Sequence, residues 1–453
     1  MQLYRPAAVV VLLTATVVSS LQQPSSSYPA RNDGGRRPQS SYTAPSYNHH
    51  QQQHRGGGRN RRLTPAEIHY DPRVSEALTD LRSAPPGAPL PAALRPCFHV
   101  TPQGHAMLSL TLVGYKGGSL QSQVNQDRAV IEQQNNSRLV MAVCDGHAPR
   151  GELVSQYAVE HLSRVLAQQL RSNNNDMPTA LHHTFVQLDH DVPAHPSGGC
   201  TATVLVYEHG RVTIANAGDS RTLLCAYHTP SQTASVLFTT RDDKPCLPDE
   251  RARVEAAGGS VYIPHRGTSR VVYHDAVTGA PTGLAMSRSL GDWDAATKGV
   301  IPDPVVNQLD MEELVGRARR MRGRGSRLSN VFADVQNIRS DVVSGQQQQQ
   351  QYGQQQQQKA GAAADEDEDD GICIFAICAT DGVIDYTTPQ ELANRMGHAL
   401  FSRNSETHPL TAAEHILYTA AERWQADKMG LYRDDCAIAV ATLRRPPVRM
   451  TGE

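Results

Sequence analysis

The chain has almost no net charge. Its 43 Lys and Arg nearly balance 45 Asp and Glu, leaving −2 over 453 residues, so no global field draws it to nucleic acid or to an anionic membrane. Its eight cysteines include no CxxC pair and no zinc spacing. Cys144, Cys200, Cys373, Cys378 and Cys436 lie in or beside apolar strand-like runs, as small buried hydrophobes do. That pattern argues against both a disulfide framework and a zinc fold. Beyond the N-terminus no segment approaches transmembrane length. Two stretches are compositionally biased. Residues 21–62 are rich in Ser, Gln, Asn, Gly, His and Arg, and residues 317–370 join a basic block (RARRMRGRGSR), a glutamine tract and an acidic run (DEDEDD). Neither can bury enough apolar surface to offset the entropy of ordering.

At the N-terminus, Arg5 precedes an apolar run over 7–18 and the small residues Ser19 and Ser20, the pattern of a secretory signal peptide over residues 1–20. The run is too short to cross a bilayer core of roughly 30 Å. Residues 22–62 are Arg-rich with Asp33 their single acid, as in an organelle transit peptide. Entry to the secretory pathway is the expectation, with the cytoplasm left open. A sequon at Asn135-Asn136-Ser137 matters only in a secretory lumen. The HNHHQQQH segment near residue 50 reads as compositional bias. Residues 63–96 form a Pro- and Ala-rich lead-in with one helical stretch over 65–81.

From residue 97 to 445 the pattern is that of one domain, interrupted by 317–370. Alternating or wholly apolar runs predict strands at 108–113, 139–144, 202–207, 211–216, 221–226, 235–239, 372–379 and 436–443. Amphipathic spacing predicts helices at 151–170, 177–189, 249–257, 389–400 and 411–428. The turn-like EHG and AGDS inside 202–226 suggest an antiparallel meander. Sheets covered by helices, rather than alternating βαβ units, are expected.

Five aspartates stand in patterned places: Asp127 in NQD, Asp145 in CDGH, Asp219 in AGDSR, Asp381 in ATDG and Asp434 in RDDC. Asp145, Asp219 and Asp381 end apolar runs. A carboxylate at a strand end is rigidly held yet near solvent, which suits a hard cation with oxygen ligands. In CDGH, Gly146 permits close backbone approach and its carbonyl is a second oxygen donor, while His147 follows as a proton donor. Taken singly, DGH and DD are common turn sequences. Two DG turns after fully apolar strands are harder to assign to chance. Ligands scattered over the chain also do not fit a calcium loop, which gathers them within 12 residues.

The ordered set NQD (125–127), CDGHAPRG (144–151), GGCTATV (198–204), NAGDSR (216–221), DDKPCLPDERARVEAAGGSV (242–261), LAMSRSLGD (284–292), KGVIPDPVV (298–306), ATDGVID (379–385) and DDCAIAV (434–440) resembles the metal-dependent protein phosphatase family, the type 2C serine/threonine phosphatases, and most of all a plant-type branch. The resemblance covers about residues 97–445. It implies an α+β fold, a four-layer α/β/β/α sandwich of two antiparallel sheets flanked by helices. It also implies hydrolysis of phosphoserine and phosphothreonine monoesters with two Mg²⁺ or Mn²⁺ ions and a weaker third. By that resemblance Asp145 bridges both metals, the Gly146 carbonyl binds one, and Asp381 and Asp434 bind the other. Asp127 acts through metal-bound water, with Gln126 where many members have Glu. Asp219 joins Asp381 in the third site, and His147 is the general acid. The implied partners are phosphoprotein substrates, with no nucleic acid, no membrane span and a monomeric state. No cysteine nucleophile is needed.

Two positions depart from the family pattern. Ser122 stands where many members have a phosphate-gripping Arg, with Lys116 and Arg128 as nearby cations, and Cys200 stands where Ser is usual. Residues 242–283 correspond to the family's flap, with His265, Arg266 and Arg270 as candidate phosphopeptide contacts or simply exposed loop charges. The rival expectation is a catalytically weak or dead relative that binds phosphoproteins as a scaffold.

Overall fold

The computed structural model describes residues 96–101, 104–118, 123–134, 137–192, 198–323 and 371–445. The signal-peptide-like segment, the low-complexity region, the lead-in helix at 65–81, Ser122, Asn135 and Asn136, and residues 324–370 lie outside the described residues.

The strand Ile372–Ala379 explains the architecture. Every residue in it is buried. Ile372, Ile374, Ala376 and Cys378 enter one apolar cluster, while Cys373, Phe375, Ile377 and Ala379 enter another. A period of two sends alternate side chains to opposite faces, so an unbroken apolar run marks a strand covered on both sides. Arg138–Cys144 behaves likewise, with Leu139, Met141 and Val143 facing the shared cluster and Val140, Ala142 and Cys144 facing a third.

Two antiparallel sheets result. One has six strands in the order Cys97–Val100, Ala106–Leu112, Cys436–Arg444, Ile372–Ala379, Arg221–His228 and Thr233–Thr239. The other has five: Val305–Asp310, Arg211–Ala217, Ala202–Glu208, Arg138–Cys144 and Arg128–Gln134. Their facing sides share Met107, Met141, Leu205, Ile214, Leu224 and Ala439. Helices Pro389–Phe401 and Pro409–Asp427 cover the outer face of the first sheet, and Gly151–Ser172 and Met177–Asp191 cover that of the second. This is the expected α/β/β/α sandwich.

Two expectations are corrected. The run 202–226 is not one meander. Ala202–Glu208 and Arg211–Ala217 form a hairpin, but at Gly218-Asp219 the chain leaves that sheet and Arg221–His228 pairs with Ile372–Ala379 in the other. Nor is the segment 317–370 without structure from its start, because helix Met311–Gly323 runs into it. Leu314, Val315 and Ala318 follow i, i+3/i+4 spacing and join the inter-sheet cluster, which outweighs the local excess of Arg. Among the described residues, no helix is long and apolar enough to cross a membrane.

Candidate metal centre

Strand register brings the five aspartates to one end of the sandwich. Arg128 opposes Cys144, so Asp127 and Asp145 leave the second sheet side by side. Ala202 opposes Ala217, which adds the Gly218-Asp219 crossover at the same end. In the first sheet Ala379 opposes both Arg221 and Ile438, so Asp381 and Asp434 emerge next to Asp219.

Glycines set the close approaches. A Cβ on Gly382 would lie 1.8 Å from the Asp435 carbonyl oxygen, so only glycine lets the Asp381 turn dock on the 434–435 backbone. A Cβ on Gly146 would lie 2.6 Å from the Gln126 oxygen and 2.7 Å from Gly151. Gly146 therefore packs the 145–147 turn against the 125–127 segment.

Asp127 is 1% exposed. Its Oδ2 accepts from Thr380 Oγ1 at 2.6 Å, and that hydroxyl in turn accepts from Ala437 N at 2.8 Å, tying both sheets together below the site. The Asp145 carbonyl accepts from Thr201 N at 2.9 Å, and its amide donates to Thr201 Oγ1 at 3.1 Å. Asp219 pairs through Oδ2 with Lys244. Asp434 is half-buried, its Oδ1 3.3 Å from Lys116 Nζ and its Oδ2 accepting from Tyr432 OH at 2.8 Å. Its neighbour Asp435 is structural: Oδ1 accepts from Gly114 N at 2.5 Å and Oδ2 from Gln126 N at 3.1 Å.

Burial first, and then mutual repulsion, hold three of these carboxyls well above the usual range. Asp127 is raised also by Asp435 and Asp434. Asp145 is raised by Asp127, Asp434 and Asp219, and Asp381 by Asp145, Asp219 and Asp434. Buried oxygens Asp127 Oδ1, Asp219 Oδ1 and Asp381 Oδ1 have no hydrogen-bond partner. Crowded like charges and orphaned hard oxygen donors fit divalent cations of the Mg²⁺ or Mn²⁺ kind. Among the described residues no three such side chains close into a ready-made cage. The donors converge without enclosing a fixed point.

His147 lies beside this cluster. Its Nε2 is 2.6 Å from Asp292 Oδ2, which also accepts from Ser289 Oγ at 2.6 Å. Its Nδ1 is buried and unpartnered. Burial alone would lower the imidazole pKa, but the charge and hydrogen bond of Asp292 outweigh it and the pKa is raised. Gly199 makes room for that carboxylate, since a Cβ there would sit 2.2 Å from Asp292 Oδ2. Asp292 was not singled out from sequence, although it ends the LAMSRSLGD motif. Its left-handed backbone, φ 42°, is rare for a non-glycine residue.

The candidate cations separate. Arg128 is 4% exposed and spends its guanidinium on Asn125 O, Asp127 O and Gln156 Oε1, so it faces away from any substrate. Lys116 Nζ lies at the opening, 3.1 Å from Asp435 Oδ2 and 3.3 Å from Gln126 Oε1. The region 242–283 holds helix Pro248–Ala256 and a small sheet of Ser260–Tyr262, Arg270–His274 and Pro281–Leu284. On it His265 and Arg266 are exposed, whereas Arg270 donates to Gly283 O at 2.8 Å. Cys200 is fully buried.

Comparison with known proteins bears on the fold and on the segment matched. Residues 114–314 match the family model described as Protein phosphatase 2C. A probable protein phosphatase 2C 61 from Arabidopsis thaliana is 29% identical over 229 residues, 48% of this chain and 67% of that protein. Protein phosphatase 1L from Bos taurus is 29% identical over 188 residues, 39% of this chain and 47% of that protein. A probable protein phosphatase 1N from Homo sapiens is 32% identical over 161 residues, 34% of this chain and 32% of that protein. The matched segment thus spans between a third and two-thirds of these relatives. A serine-threonine phosphatase 2C structure from Toxoplasma gondii superposes with a TM-score of 0.50 at 17% identity, covering 77% of this chain and 98% of that one, which establishes the shared fold. Asp127, Asp145 and Asp219 lie within residues 114–314, and the fold brings Asp381 and Asp434 to them from beyond it. Residues 114–314 of the chain are thus similar to the protein phosphatase 2C family.

Proposed function

We propose that this chain is a metal-dependent protein serine/threonine phosphatase that hydrolyses phosphoserine and phosphothreonine monoesters. The observation that carries the reading is the convergence of Asp127, Asp145, Asp219, Asp381 and Asp434, with three buried carboxylate oxygens unpartnered. Asp145 with the Gly146 carbonyl, Asp381 and Asp434 would hold two divalent cations, Asp127 would act through their water, and Asp219 would serve a weaker third. Bound there, two such cations supply a water nucleophile at neutral pH and neutralise phosphoryl charge.

The chain's own groups do the rest. His147 keeps Nε2–H on Asp292, which orients the ring and favours its protonated form. The protonated ring is then the general acid for the departing seryl or threonyl oxygen. Lys116 is the cation placed to meet the phosphoryl dianion in place of an arginine at Ser122. A second reading, a silent phosphoprotein-binding scaffold, draws on Lys116 and Lys244, whose ammonium groups already pair with Asp434 and Asp219.

Mn²⁺-dependent hydrolysis of p-nitrophenyl phosphate and of a phosphothreonine peptide by the full-length chain tests this. Turnover lost in Asp145→Ala supports it, and absence of turnover in the wild type hands the case to the scaffold. Entry to the secretory pathway is proposed from residues 1–20 alone, and an intact Met1 on the mature protein would overturn it.

A further inference from the structure

We infer that residues 429–432, together with Val124, form an apolar platform that receives hydrophobic side chains flanking the phosphorylated residue of a substrate peptide. The inference rests on the phosphatase reading and specifies its substrate class. Met429, Leu431, Tyr432 and Val124 are exposed large hydrophobic side chains, Met429 at 54% and Leu431 at 43%. They do not lie at random on the surface. Tyr432 donates its hydroxyl to Asp434 Oδ2, and Val124 lies between Gln123, which accepts from Lys116 N at 2.7 Å, and the Asn125-Gln126-Asp127 segment of the site.

The platform is also braced from beneath. The Tyr432 ring meets Trp424 edge-on at 5.7 Å between centroids. Trp424 is 6% exposed, packs on Tyr386 at 4.3 Å, and donates Nε1–H to the Gly382 carbonyl at 2.8 Å. The apolar loop is therefore registered against both the Asp381 turn and the Asp434 turn, at a set offset from the carboxylates. Apolar surface beside a polar carboxylate site is what a peptide with one charged and several apolar side chains would cover. Charged flanking residues would lose hydration against this surface without gaining an apolar contact.

The test uses the full-length chain with Mn²⁺ and compares kcat/KM for p-nitrophenyl phosphate and for three phosphothreonine peptides with Leu/Phe, Gly/Ser or Asp/Glu flanks. The expected result is a preference of about tenfold or more for the apolar-flanked peptide. The double variant Met429→Ser/Leu431→Ser should abolish that preference while p-nitrophenyl phosphate turnover stays unchanged. Equal rates on all three peptides, or an equal loss on every substrate including p-nitrophenyl phosphate, would overturn the platform. Fluorescence anisotropy of the labelled peptides on Asp145→Asn separates the two claims. Selective binding of the apolar-flanked peptide by a chain whose wild type lacks turnover would sink the phosphatase reading and leave the platform standing.

Discussion

His147 and Asp292 are 145 positions apart in the chain, yet Nε2 and Oδ2 stand 2.6 Å from one another. Two short antiparallel pairings achieve this. Gly199 opposes both His147 and Gly291, so the DGH turn and the LGD turn lie on either side of one glycine that has no side chain to separate them.

If Asp292 acts by orienting His147, the effect of Asp292→Asn depends on the leaving group. An alkoxide leaving group needs a proton, whereas p-nitrophenolate does not. The variant is expected to lose about 10–100-fold in kcat on a phosphothreonine peptide and far less on p-nitrophenyl phosphate. Equal losses on the two would assign Asp292 a purely structural role.

Glu250 is fully buried and held by Arg241, Arg253 and Arg288 at 2.5, 2.6 and 2.8 Å. It locks helix Pro248–Ala256 to the Ser287-Arg288 segment, since Ser287 Oγ also donates to it at 2.6 Å. Glu250→Ala is expected to cost about 3–5 kcal/mol, because three guanidinium groups lose their shared counter-charge. Chemical denaturation of the variant measures this, and a change under about 1 kcal/mol would contradict it.

The same residue sets a pH dependence. Burial opposes ionisation of Glu250, but the hydrogen bond and charge of Arg288 and the charge of Arg253 dominate and bring its pKa down to about 2. A depressed folded-state pKa contributes stability that is fully present above the unfolded value near 4.5 and is lost as pH falls toward 2. The contribution is about 3 kcal/mol. The stability gap between wild type and Glu250→Gln should therefore be widest at neutral pH and narrow progressively below pH about 4.5. A gap independent of pH from 7 to 3 would contradict the assignment.

Much of the scaffold was legible because its signals are local. Ile372–Ala379 and Arg138–Cys144 announce themselves as strands buried on both faces, and each ends at an aspartate. Arg128–Gln134 was missed because its polar ends and partly exposed residues leave no clean alternation. The sheet change at Gly218-Asp219 was missed because a turn sequence does not specify which sheet receives the next strand. Asp292 owes its role to His147, 145 positions away, so no local spacing reveals it, and the choice of Lys116 over Arg128 rests on its pairing with the distant Asp434.

Gly382→Ala is expected to disrupt the site without removing any ligand. Its Cβ would meet the Asp435 carbonyl at 1.8 Å, forcing the Asp381 and Asp434 turns apart. Mn²⁺ affinity by calorimetry should fall at least tenfold, as it does when groups supporting metal ligands are lost. Unchanged affinity would mean that the two turns need not touch.

The most direct test of the carboxylate cluster as a cation site is thermal unfolding with and without Mn²⁺ in wild type and Asp381→Asn. Like charges crowded around Asp381 destabilise the metal-free protein. The account predicts that Asp381→Asn melts at or above the wild-type temperature without metal. Saturating Mn²⁺, at about 100 times Kd, should stabilise the wild type by roughly 2.7 kcal/mol and the variant far less. A wild type indifferent to Mn²⁺, or a variant stabilised as strongly, would contradict it.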